Sequence, residues 1–157
     1  MFCDCSKLVN VTIPDGVTII DEYAFQYCTE LEAVTVGSGV EYIEYRAFYG
    51  CTALKTVSLG KGLKEIGYKS FYGCKNLESI VIPDGVETID YFAFSNCTKL
   101  ASVTLPDSVE IIRSGVFENT AYYNDSDNWT DGVLYVGSHL IEADVTGDYT
   151  VKEGTRV

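Results

Sequence analysis

The fold is decided by one stretch: Ile82-Pro83-Asp84-Gly85-Val86-Glu87-Thr88-Ile89-Asp90-Tyr91-Phe92-Ala93-Phe94-Ser95-Asn96-Cys97-Thr98-Lys99-Leu100-Ala101-Ser102-Val103-Thr104. Leu105-Pro106-Asp107 follows and begins the same unit again. Outward from there, Cys5, Cys28, Cys51, Cys74 and Cys97 stand 23 residues apart. Phe2, Phe25, Phe48, Phe71, Phe94 and Phe117 keep the same step, as do Leu8, Leu31, Leu54, Leu77 and Leu100. Ile20, Ile43, Ile66, Ile89 and Ile112 form a fourth column. Independent columns in one register cannot arise from composition, so the chain is an internal repeat.

Each unit has a readable order. Leu-x-x-Val-x-Ile carries a strand, as in Leu77, Ile80 and Ile82, with apolar residues alternating with Thr, Ser or Val. Pro14-Asp15, Pro83-Asp84 and Pro106-Asp107 end three of these strands, and Gly37 and Gly60 take the proline's place in two others. A second apolar pair follows, as Val86 with Ile89. Ala-Phe-x-x-Cys then closes the coil, and one helical or 3₁₀ turn is expected there. One coil cannot bury its own apolar side, but stacked coils, with strands about 4.8 Å apart, bury a continuous column.

Cys-x-x-Leu-x-x-Val-x-Ile-Pro (Cys74 to Pro83) and Ile-x-x-x-Ala-Phe (Ile89 to Phe94) resemble the BspA-like, treponemal-type leucine-rich repeat family, continuously over residues 1–117. The resemblance implies an α/β solenoid. This is a right-handed leucine-rich-repeat coil, mostly β with short helical or 3₁₀ turns, plus an inserted β-hairpin. It also implies a bacterial or protist protein at the cell surface or outside the cell, used in adhesion and protein recognition and not known as an enzyme.

The register breaks after Phe117. Thr120 stands where a sixth cysteine belongs, and Tyr123 where leucine belongs. Residues 122–131 are polar and aromatic. Gly132–Val136 and His139–Ala143 then flank Gly137-Ser138, which reads as a β-hairpin. Val151-Lys152-Glu153-Gly154 looks like Ile-Pro-Asp-Gly again, so residues 118–157 form one enlarged repeat and the start of another. Both ends cut a repeat without an obvious cap: Met1 falls in the alanine column and Val157 just before the next isoleucine. A fragment of a longer array is expected.

Composition narrows the chemistry. The 157 residues carry 11 basic and 23 acidic side chains, a net −12. A basic footprint for nucleic acid or an anionic membrane is missing, and no apolar run is long enough to span a bilayer. No signal peptide is visible at Met1. Residues 118–157 hold eight acids and two bases, half of the net charge in a quarter of the chain.

No catalytic residue, metal ligand or cofactor is expected. P-loop, G-x-S-x-G and H-E-x-x-H motifs are lacking. The cysteine column reads as reduced packing, because its thiols point the same way into the core. The single histidine, His139, reads as an exposed strand residue. Asp125, Asp127 and Asp131 superficially resemble calcium ligands, but the EF-hand glycine and glutamate are absent and a solvated loop is expected.

Candidate binding residues are aromatic. Tyr45, Tyr68 and Tyr91 share one column, and Tyr49 and Tyr72 another. Tyr122, Tyr123, Trp129 and Tyr135 form the one non-consensus patch, beside aspartates. The strand face offers only small, mostly hydroxylic residues and no binding hot spot. Three functions fit: a module binding a protein, a repeat section binding a glycan, or a passive spacer presenting another domain.

Overall fold

The computed structural model describes residues 2–144, 150–151 and 153–156. Expectations placed on Met1, Lys152 and Val157 fall outside the described residues.

Alternation in Leu-x-x-Val-x-Ile gives a short strand in every coil, because period-two patterning buries alternate side chains. One file contains β1 (Asn10–Ile13), β3 (Ala33–Val36), β5 (Thr56–Ser58), β7 (Ser79–Val81) and β9 (Ser102–Thr104). The second apolar pair gives β2 (Ile19–Ile20), β4 (Tyr42–Ile43), β6 (Glu65–Ile66), β8 (Thr88–Ile89) and β10 (Ile111–Ile112). All pairs within these files are parallel and offset by one repeat, with Val11 opposite Val34 and Ile66 opposite Ile89. The second file is an unbroken five-stranded sheet. The first is cut into β1-β3-β5 and β7-β9, with no ladder joining β5 to β7 among the described residues. The fold is a mostly-β solenoid.

The closing Ala-Phe-x-x-Cys segment corrects one expectation. It is a run of turns, with no helix or 3₁₀ turn. Two residues per coil adopt positive φ. Tyr23, Arg46, Lys69, Phe92 and Gly115 form one such column, and Asp4, Tyr27, Gly50, Gly73, Asn96 and Asn119 the other. This backbone aims alternate N–H groups at the next coil, whereas a helix would return them to its own. Tyr23, Phe25 and Tyr27 donate to the carbonyls of Tyr45, Ala47 and Tyr49 at 3.0, 2.7 and 2.8 Å. A third line of inter-coil hydrogen bonds results.

Inside, the columns become stacks. Leu31, Leu54, Leu77 and Leu100 are fully buried. The phenylalanine rings from Phe2 to Phe117 lie nearly parallel, with centroids 5.1–5.8 Å apart. Each buried ring contributes about 1.5–3 kcal/mol of apolar burial. All six cysteines are free thiols. Cys28, Cys51, Cys74 and Cys97 each donate to the phenylalanine carbonyl of the preceding coil, at 3.0, 3.1, 3.4 and 3.1 Å. Burial pushes the Cys51 thiol up to about 12, and the Cys74 thiol well above its ordinary value.

The solenoid gives way at Thr120. Its hydroxyl donates to the Phe117 carbonyl at 2.7 Å and accepts from the Tyr123 N–H at 3.0 Å. It thereby caps α1 (Ala121–Asn124). A 3₁₀ turn at Ser126–Asn128 follows, then β11 (Trp129–Thr130), β12 (Val133–Val136) and β13 (His139–Ala143), an antiparallel sheet in chain order. The expected hairpin about Gly137-Ser138 is present. Another lies before it, turned by Asp131 and Gly132, both at positive φ. Val136 joins the solenoid core, and Tyr122 and Ile141 pack against it. The last regular coil is therefore covered by the hairpin module.

His139 is a second correction. It is 3% exposed, with Nε2 3.2 Å from the Val109 carbonyl oxygen and Nδ1 buried without a partner. The outer edge of β13 is also paired, by a backbone segment at Arg156. Leu140 donates to the Arg156 carbonyl at 2.9 Å, and the Arg156 N–H donates to the Ser138 carbonyl at 2.8 Å. With Nε2 against the Val109 carbonyl, the ring itself is turned onto the last regular coil and away from solvent.

Candidate functional site

The turn side of the solenoid carries an aromatic ridge. Tyr45 and Tyr68 stack at 5.3 Å between centroids, and Tyr49 and Tyr72 at 5.0 Å, in two adjacent files. Tyr23 meets Tyr45 edge-on at 5.2 Å, and Tyr27 meets Tyr49 at 5.5 Å. A Cβ at Gly50 would stand 2.7 Å from the Tyr27 ring, so glycine makes room for that tyrosine. Tyr91 does not continue the Tyr45–Tyr68 file. Phe92 takes the place on Tyr68, edge-on at 6.2 Å, and Tyr91 tilts outward.

Two cations sit between the files. The Arg46 guanidinium is 5.0 Å from the rings of both Tyr45 and Tyr49. Lys69 Nζ is 5.2 Å from Tyr68, Tyr72 and Phe92. Such contacts contribute roughly 0.5–1 kcal/mol each at exposed sites. Both cations occupy left-handed backbone positions, which direct their side chains back across the rings. Burial pushes the Tyr49 phenol above its ordinary value. Beside the ridge, burial raises the Glu44 carboxyl, and its neighbours Glu65, Glu22 and Asp21 raise it further.

The second site lies in the hairpin module. Tyr123, Trp129, Gly132, Glu142, Ala143 and Asp144 line an open cavity of about 490 Å³. The Trp129 indole N–H donates to the Tyr123 carbonyl at 2.7 Å, and the two rings meet edge-on at 5.3 Å. The Tyr123 phenol is pushed up by burial and then by Glu142, Glu118 and Asp144. Tyr122 and Tyr135 do not line the cavity. The Tyr122 hydroxyl donates to the Tyr135 carbonyl at 2.6 Å and holds α1 to β12. Asp125 caps the 3₁₀ turn through the Asp127 N–H at 3.0 Å. Among the described residues, no three acidic, cysteine or histidine side chains converge on a cation position.

The structure thus brings Tyr45, Tyr49, Tyr68 and Tyr72 together, and separately Tyr123 and Trp129. Tyr91 stands at the margin of the ridge. Sequence reasoning missed Tyr23, Tyr27, Phe92, Arg46 and Lys69, because their residue types gave no sign of left-handed backbone. A larger cavity of about 610 Å³ opens beside Phe2, Val11, Ile19 and Phe25 on the apolar face of the first coil. It gathers few polar groups.

The family model for the BspA type leucine rich repeat region matches residues 1–124 in six copies. The chain belongs to that family. It is 36% identical to a Treponema pallidum leucine rich repeat protein, with a TM-score of 0.71, covering 74% of this chain and 56% of that one. It is 34% identical to a leucine rich cell surface protein from Faecalibacterium prausnitzii, with a TM-score of 0.68, covering 70% and 29%. A leucine-rich repeat protein from Bacteroides ovatus is 30% identical, with a TM-score of 0.57, covering 74% and 36%. The chain therefore spans just over half of the treponemal protein and under a third of the Faecalibacterium one. No curated protein matches it. Repeats of this family suggest a protein-interaction module. Among the described residues, no helix is long and apolar enough to cross a membrane.

Proposed function

We propose that this chain is a non-catalytic module for protein recognition or adhesion at a cell surface, with residues 1–117 as scaffold and 118–157 as an elaborated end. The aromatic ridge carries the reading: two files of tyrosines with Arg46 and Lys69 held between them. Aromatic rings and arginine dominate interface energetics, and ring stacks lose little entropy on binding. Tyr27 and Tyr91 are 45% and 41% exposed, and the Arg113 guanidinium lies 5.7 Å from the Tyr91 ring, so rings and cations of the ridge reach solvent. The cell-surface name of the Faecalibacterium relative supports the location.

A protein partner fits better than a glycan. Sugar rings stack on open aromatic faces, but the faces of Tyr45, Tyr68, Tyr49 and Tyr72 are turned to one another. What remains outward is ring edge, hydroxyl and cation, which suits carbonyls, carboxylates and aromatic faces of a polypeptide. A passive spacer would need none of this. The test displays the chain against panels of purified ectodomains and glycans. A protein hit is expected, weakened at least ten-fold by Tyr27→Ser with Lys69→Gln. Binding unchanged in that variant, or a hit confined to glycans, would reject the reading.

A further inference from the structure

The hairpin module differs from the ridge in charge and in shape. Its cavity joins two aromatic walls, Tyr123 and Trp129, to the carboxylates of Glu142 and Asp144. Glu118 adds a third negative charge close enough to act on the Tyr123 phenol. Among the described residues, the ion pairs are Lys55–Glu32, Lys64–Glu41 and Arg156–Asp107. Glu142, Asp144 and Glu118 take part in none of them, so no cation among the described residues neutralises their charge. The walls are fixed before any ligand arrives. Trp129 is tied to the Tyr123 carbonyl, and the Tyr123 N–H is held by Thr120. Preorganised rings bind without the cost of ordering them.

We propose that this cavity receives an arginine side chain presented by a protein partner. A guanidinium is planar and stacks on an aromatic face, while its fork of N–H groups pairs with carboxylates. An ammonium could use the charge but not the flat wall as fully. The inference rests on the reading of the chain as a protein-recognition module, but it uses a surface separate from the ridge.

Trp129 is the only tryptophan in the chain, so emission excited at the red edge of the indole band, where the twelve tyrosines do not absorb, reports on this cavity alone. The intact chain is titrated at low salt with Nα-acetyl-arginine methylamide and with its neutral citrulline counterpart. A saturable change in emission is expected for arginine, with half-saturation on the order of 1 mM. Citrulline should bind at least ten-fold more weakly. Glu142→Gln with Asp144→Asn should weaken arginine binding at least ten-fold, and raised salt should weaken it further. An equal response to citrulline, a change that does not saturate, or unaltered binding in the double variant would each overturn the proposal. The citrulline comparison needs no variant, so a folding defect cannot obscure it. Tyr27→Ser with Lys69→Gln should leave this titration unchanged, which separates failure here from failure of the ridge.

Discussion

Gly39 and Gly16 stand in one column, one coil apart, and should respond to alanine in opposite ways. At Gly39 a Cβ would overlap the Asp15 carbonyl oxygen and stand 3.0 Å from its carbonyl carbon. Carbon contacts are comfortable at about 3.5–4.0 Å, so the two coils must part by roughly 1 Å. The bonds next to the clash are short: Glu41 N–H to Thr18 O at 2.8 Å, and Ser38 N–H to the Asp15 carboxylate at 2.6 Å. Overpacking costs about 1–3 kcal/mol, and each hydrogen bond lost adds about 1 kcal/mol. Gly39→Ala should therefore destabilise by about 3 kcal/mol. At Gly16 nothing lies within 4 Å of the same Cβ, and φ is not positive. Gly16→Ala should stabilise by roughly 0.4–1 kcal/mol, through a less flexible unfolded chain. Urea titration followed by circular dichroism checks both. With a slope of about 2 kcal/mol per M, the midpoints should differ by more than roughly 1.5 M. Equal midpoints would show that inter-coil contact is not what holds glycine in this column.

In native protein at pH 8, Cys3 and Cys5 should react with a disulfide reagent within minutes, while Cys51 and Cys74 react only in urea. Burial holds the Cys51 thiol at about 12, four pH units above the reaction, and fast labelling of all six thiols would refute the stack. Glu44→Gln should raise stability just above pH 4.5. A carboxyl whose folded pKa is raised keeps its proton in the native state while the unfolded chain has lost it, so native stability falls as pH rises through that window. Thermal melts at pH 4 and pH 7 should therefore show a smaller pH-dependent loss in the variant than in the wild type. His139→Ala should cost about 1–3 kcal/mol by emptying a buried position, and a change within about 0.5 kcal/mol would count against its burial.

Legibility followed the kind of signal each residue gives. Apolar columns are written in residue types, so the solenoid, its strands and the thiol stack could be read directly. Tyr45–Tyr68 and Tyr49–Tyr72 followed from the same 23-residue step. Backbone at positive φ is not written in this way when Tyr, Arg, Lys or Phe adopts it. Stacking against the neighbouring coil imposes that conformation on Tyr23, Arg46, Lys69 and Phe92, and local propensity loses. The closing turns and the ridge cations were hidden for this one reason. Asp131-Gly132 is a strong hairpin dipeptide and was available, but the run of polar residues before it drew the reading toward a loop. The burial of His139 depends on β13 folding back onto the last regular coil, where the ring meets the Val109 carbonyl, a long-range contact that no local pattern announces.

The cut in the first strand file makes the solenoid an asymmetric beam. One side runs unbroken from β2 to β10, while the other is interrupted between β5 and β7. Bending that opens the cut meets little backbone resistance, whereas bending that opens the continuous side must break inter-strand bonds. The compliant direction and its location are thus built in. Asn76 Nδ2 still donates to the Thr52 carbonyl at 2.9 Å across that junction, and β6–β8 and the closing turns stay bonded there, so the cut sets a softer direction of bending without dividing the solenoid.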